Sequence, residues 1–265
     1  MKAKTFCLLL LWTILGLKAH ATDVYLILGQ SNGWRISSIN QFPGRSDSKT
    51  IHYFPMGCSS RPETSTMTSI TSIHPSCQGR GVAEELLKLS GEEIIIVQYC
   101  VCGSSLHSEV NWYPGDDPEA GLLNNEGLYG KFIKYLADAR SQAEAAGHEW
   151  NIKAAFWHQG ESDSNQHAAT YEQNFQHLLY RLRTDLGKDL PVIAGKIREL
   201  SEPAKEVNRA LDKVATKDPG VAVVPVEDLP GQTPTDVHFN TEGCHKLGLR
   251  LVEAYSTLTK NPAIK

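Results

Sequence analysis

After residue 21 the chain contains no apolar run long enough to span a bilayer, which excludes a protein embedded by helices. It carries no basic block and no interleaving of basic with aromatic residues, so nucleic acid and anionic membrane are poor partners. No internal repeat, low-complexity block or linker divides it, which argues against a repeat architecture and against tethered modules. Cysteine is scarce, six in 265 residues. The one close pair, Cys100-Val101-Cys102, lacks the second ligand pair that a metal motif needs.

What is present begins with a leader. Lys2 and Lys4 precede an apolar run from Phe6 to Leu17, and Ala19-His20-Ala21 reads as a small-x-small cleavage site. Cys7 lies inside the run and not after it, so a lipid anchor is not expected. The expectation is a signal peptide over 1–21 and a secreted or periplasmic mature chain over 22–265. The leader holds three of the 26 Lys+Arg and none of the 30 Asp+Glu, so its removal takes the formal charge from −4 to −7. Uncharged substrates such as carbohydrates suit that balance. Five cysteines remain, and an odd number leaves at least one thiol unpaired within the chain. Cys58 and Cys77 flank a Ser/Thr/Pro-rich stretch where a disulfide is plausible. Cys100 and Cys102 sit two apart on a predicted strand, facing one way, and read as core cysteines.

Apolar runs at 23–28, 93–99, 152–157, 191–194 and 221–226 predict strands. Helical stripes at 81–89, 128–145, 171–182, 203–215 and 243–258 fall between and after them. The strands are continuously apolar, as strands covered on both faces must be. Their alternation with helices predicts an α/β fold: one domain, a three-layer α/β/α sandwich around a mostly parallel sheet of about five strands. The stretch from Ile36 to Gln78 reads as a long loop region that could carry short strands. In such sheets the site lies at the carboxyl ends of the strands. Ser31, Gly103, Gln159 and, beyond the last strand, His238 all follow strand ends.

Gly29-Gln30-Ser31-Asn32-Gly33 satisfies the G-x-S-x-G nucleophile pattern, but after the first mature strand. Asp236 stands only two residues before His238, so the chain order fits an α/β-hydrolase poorly. Taken singly, Ser31 reads more readily as a turn residue than as a nucleophile and Gly103 as a strand-ending turn, while Gln159 fits a core amide and an amide donor equally.

Together, "GQSN" at 29–32, "CGSSL" at 102–106, "WHQGESD" at 157–163 and "TDVHFNTEG" at 235–243 resemble the SGNH/GDSL hydrolase superfamily. More narrowly, they are similar to the sialate O-acetylesterase-like branch and carbohydrate esterase family 6, in the right order over nearly the whole mature chain. The resemblance implies a flavodoxin-like sandwich and a serine esterase that removes O-acetyl groups from sugars. It makes Ser31 the nucleophile and His238 the base. It makes the oxyanion donors the Ser31 N–H, the Gly103 N–H and the Gln159 amide. No metal or organic cofactor is implied, and the partner is an acetylated carbohydrate.

The acid departs from the superfamily's Asp-x-x-His, because Thr235 occupies that position. Asp236, two before His238, and Glu161 of "HQGESD" both remain candidates, with a Ser-His dyad as a third arrangement. His158 reads as a supporting residue. Trp112 is a candidate sugar-stacking surface or else a loop anchor, and Arg61 and Arg80 could contact substrate. Two other readings stand: a glycoside hydrolase pairing Glu161 with Asp163 or Asp236, and a non-catalytic carbohydrate-binding module.

Overall fold

A computed structural model describes residues 20–34, 51–56, 58–69, 77–107, 110–114 and 127–260. The leader reading therefore falls largely outside the described residues. Among those described lie seven strands: β1 (His20–Gly29), β2 (Ile51–Phe54), β3 (Thr68–Ser69), β4 (Ile94–Cys100), β5 (His148–His158), β6 (Val192–Gly195) and β7 (Val221–Val224). The helices are α1 (Ser31–Trp34), α2 (Cys77–Ser90), α3 (Leu128–Ala145), α4 (Tyr171–Leu186), α5 (Glu202–Lys217) and α6 (Thr241–Lys260). No described helix is long and apolar enough to cross a membrane.

The sheet order is β3-β2-β4-β1-β5-β6-β7. Six strands run parallel and only β3 pairs antiparallel. That is one parallel strand more than expected, and the addition comes from the long loop region. β2 is four residues amid Ser, Thr and Pro, too short for periodicity to mark, and is recognisable only once it pairs with β4.

Alternate residues of the central strands feed two cores. Val24, Leu26, Leu28, Ile95 and Val97 pack under α3, α4 and α5. Tyr25, Ile27, Ile94, Ile96 and Phe156 pack under α2 and α6. Burial of successive side chains on opposite faces is why Ile94 to Val97 of β4 reads as an unbroken apolar run. Ser201 caps α5, accepting from the Ala204 N–H at 3.2 Å, with Pro203 in the first turn.

The expected Cys58–Cys77 bridge is not formed. Cys58 is bonded to Cys102, with their Cα atoms 5.1 Å apart. β2 and β4 are parallel neighbours with Phe54 opposite Val97, so the segments leaving them run side by side and bring these two sulfurs together. The core reading therefore holds for the buried thiol Cys100 but not for Cys102. Closing a loop of 44 residues stabilises the fold by about 4 kcal/mol on the chain-entropy account.

Candidate active site

β1 is the point where strand order reverses, with β4 and β2 on one side and β5 to β7 on the other. The crevice at its carboxyl end is where such sheets hold ligands. Gly29 ends the strand at φ +135°, and a Cβ there would lie 2.0 Å from the His158 carbonyl oxygen. Only glycine permits that approach. The Gln30 N–H then donates to the same carbonyl at 3.0 Å, and the chain turns at once into α1. Ser31 is its first residue, half-buried, with its N–H in a first turn that offers no intrahelical acceptor.

The Ser31 hydroxyl lies 3.0 Å from His238 Nε2. His238 Nδ1 lies 2.8 Å from Asp236 Oδ1, and the His238 backbone N–H donates to the same oxygen at 2.9 Å. The two-residue spacing works because a tight turn folds the carboxylate back over its own histidine. With Nδ1–H donating to Asp236, Nε2 is left to accept from Ser31. Ser31, His238 and Asp236 thus form one hydrogen-bonded chain.

Glu161, the other acid left open by the sequence, lies elsewhere. Its Oε1 accepts from the Asn32 side-chain amide and faces His158 Nε2 at 3.2 Å. Burial alone would raise this carboxyl, yet the His158 ring and the Asn32 amide outweigh it and hold the group below its usual value. Asn32 also donates to the Val237 carbonyl at 3.1 Å and accepts the Phe239 N–H at 3.0 Å. These peptide groups flank His238. Glu161 therefore reaches His238 indirectly, through Asn32, which clamps the backbone on either side of it.

Two residues expected to face the substrate do not. Gln159 is wholly buried, and its amide donates to Gln30 Oε1, the Ser104 carbonyl and Asp163 Oδ2. Those bonds commit the amide away from the crevice, leaving the Ser31 and Gly103 N–H groups as candidate oxyanion donors. Trp112 is also wholly buried, packed on Tyr99, Phe132 and Trp157, with Nε1–H donating to the Gly29 carbonyl at 3.0 Å. It anchors the β1 turn and offers no face to a sugar. Gly103 is exposed in a turn at φ +70°, directly after the disulfide-bonded Cys102 and beside the end of β1. Asp163 is buried and accepts the Leu106 and His107 N–H groups, tying the loop after β4 to the loop after β5. Arg80 is buried against Glu84, whereas exposed Arg61 holds Val110 and Asn111.

Arg198, just beyond β6, was not signalled by any motif. Its guanidinium donates to the carbonyls of Thr233, Pro234 and Asp236, gathering the loop that carries Asp236 and His238. A Cβ at Gly231 would meet that guanidinium, so a side chain there would displace Arg198. The only sequence cue was position, after a strand end. Arg198→Gln is expected to lower kcat for ester hydrolysis by about 10²-fold with KM little changed, the penalty of a slightly misplaced base. Steady-state kinetics on an activated acetate ester checks this, and an unaltered kcat removes Arg198 from any positioning role.

Residues 21–257 match the family model described as "Carbohydrate esterase, sialic acid-specific acetylesterase". A probable carbohydrate esterase of Arabidopsis thaliana is 33% identical over 131 residues, which is 48% of this chain and 47% of that protein. The chain therefore spans about half the length of the curated relative it matches. Among solved structures, a carbohydrate acetylesterase from Xanthomonas citri aligns with TM-score 0.69 at 19% identity, over 90% of this chain and 57% of that one. An X-ray structure of an Arabidopsis thaliana protein aligns with TM-score 0.65 at 21% identity, over 90% and 99%. At these identities the structural likeness is one of fold.

Proposed function

The chain belongs to the sialic acid-specific acetylesterase family of carbohydrate esterases, and from that premise we propose that it is a serine hydrolase of the SGNH type that removes O-acetyl groups from sugars through an acetyl-serine intermediate. The observation that carries the reading is the relay from Ser31 through His238 to Asp236, at 3.0 and 2.8 Å. His238 takes the Ser31 proton as the hydroxyl oxygen attacks the acetyl carbonyl. The N–H groups of Ser31 and Gly103 hold the oxyanion, and His238 then protonates the departing sugar oxygen. Water repeats the sequence on the acetyl-enzyme and releases acetate.

A glycoside hydrolase is disfavoured by what its carboxylates are doing. Glu161 is held by Asn32 and His158, and Asp163 is buried among backbone donors. Neither flanks an open space where a glycosidic bond could lie. Export from the cytoplasm is part of the proposal, supported by the leader composition and by a disulfide, which persists in oxidising compartments.

The deciding experiment measures acetate released from a panel containing acetylated xylan, O-acetyl sialic acid and p-nitrophenyl acetate. The expected result is acetate from at least one glycan, with an initial burst of p-nitrophenol from the chromogenic ester. Binding of a glycan without release of acetate from any of them supports a binding module and removes the esterase reading.

A further inference from the structure

At the opposite end of the sheet from Ser31, three residues distant in the chain converge. His52 is the second residue of β2, Glu93 directly precedes β4, and His148 opens β5. His52 Nε2 lies 2.6 Å from Glu93 Oε1, and His148 Nδ1 lies 3.7 Å from Glu93 Oε2. The two imidazoles are 4.4 Å apart between ring centres. One donor atom from each of the three residues falls within 4.8 Å of the others, and all three residues are half-buried. Thr22 Oγ1 stands 3.2 Å from His148 Nδ1 and adds an oxygen beside them.

We propose that His52, Glu93 and His148 form a transition-metal site of the zinc type, separate from the esterase centre. Ligand atoms about 2.0–2.2 Å from a tetrahedral zinc lie roughly 3.4 Å from one another. The three ligand atoms lie within 4.8 Å of one another, with one imidazole on each Glu93 oxygen, so the side chains must draw in by up to about 1.4 Å to close on one ion. Two imidazoles and one carboxylate suit Zn²⁺ and its neighbours, and are a poor set for Ca²⁺ or Mg²⁺, which take oxygen ligands. The carboxylate offsets part of the ion's charge, and solvent supplies the remaining position. Each ligand belongs to a different strand region, so the bound ion ties together the starts of β2, β4 and β5, with β1 enclosed between the last two.

The test uses the full chain, stripped with a chelator and titrated with ZnCl₂ by calorimetry. One Zn²⁺ per chain is expected, with a thermal midpoint that rises with Zn²⁺ and ignores Mg²⁺. Co²⁺ in its place should give the visible bands of a four-coordinate ion. His52→Ala and His148→Ala should each weaken binding by at least about 100-fold, the upper end of what loss of a mere supporting contact does to a metal site. The double variant should bind none, with circular dichroism confirming its fold. If the double variant does not fold, Glu93→Gln, which keeps the side-chain shape, must still weaken Zn²⁺ binding at least tenfold. No binding, equal binding by the folded variants, or binding lost on His238→Ala instead overturns the proposal. None of these readouts depends on ester hydrolysis.

Discussion

Ser31→Ala lowers kcat/KM for acetate-ester hydrolysis by about 10⁵- to 10⁶-fold and leaves the fold intact. The magnitude is that of deleting the nucleophile from a serine-histidine relay, where the groups act as a unit. The fold survives because the Ser31 side chain is only half-buried and its hydroxyl contacts His238. A surface change of this kind shifts stability by about 0.5 kcal/mol or less. His238→Ala produces a comparable loss, and the double variant falls no further, because once either partner is gone the other has no proton to exchange. What remains is the small rate enhancement from the oxyanion donors and substrate binding. Both variants are compared with wild type on p-nitrophenyl acetate, with urea denaturation to establish that each is folded. A folded Ser31→Ala protein that keeps more than about one per cent of wild-type activity would falsify the acetyl-serine mechanism. Single losses that multiply in the double variant would mean that the two residues do not share a step.

How much of this was legible in the chain depends on how local each interaction is. β4 declared itself because "IIIV" is buried on both faces, whereas β2 has four residues and gains its identity only from a neighbour forty residues away. Ser31 and His238 could be read together, since both follow strand ends and parallel sheets gather their loops at one edge. Gln159 and Trp112 could not be placed by the same rule. Gln159 follows a strand end and Trp112 lies in the loop beyond Gly103, but whether such a side chain faces the crevice or the core depends on its contacts with Asp163 or Phe132, which pattern does not encode. The disulfide failed for a similar reason. Cys58 and Cys77 are closer in sequence, but adjacent parallel strands bring Cys102 to Cys58. Arg198 is the extreme case, since a cation that binds three carbonyls of a distant loop leaves no periodicity and matches no motif.

The acid behind His238 is settled by comparing two isosteric changes. Asp236→Asn lowers kcat by about 10³- to 10⁴-fold. The asparagine oxygen can still accept from the His238 N–H, but the side chain no longer carries the charge that stabilises the imidazolium, and its amide can bond Nδ1 in the wrong tautomer. Glu161→Gln is expected to lower kcat only about tenfold, because its carbonyl oxygen still accepts from Asn32 and the clamp around His238 persists. Its main consequence is in stability. The Glu161 carboxyl is held below its ordinary pKa in the fold, so its contribution is fully present above the unfolded value of about 4.3 and lost as pH falls through the folded value. Wild type should therefore lose stability more steeply than Glu161→Gln on acidification below about pH 4.3, as seen in urea midpoints across that range. Asp236→Asn leaves the Glu161–His158 pair untouched and should retain that acid dependence. If Glu161→Gln instead gives the larger fall in kcat with an unchanged acid profile, the orienting charge is Glu161 acting through Asn32, and Asp236 serves only to shape the turn.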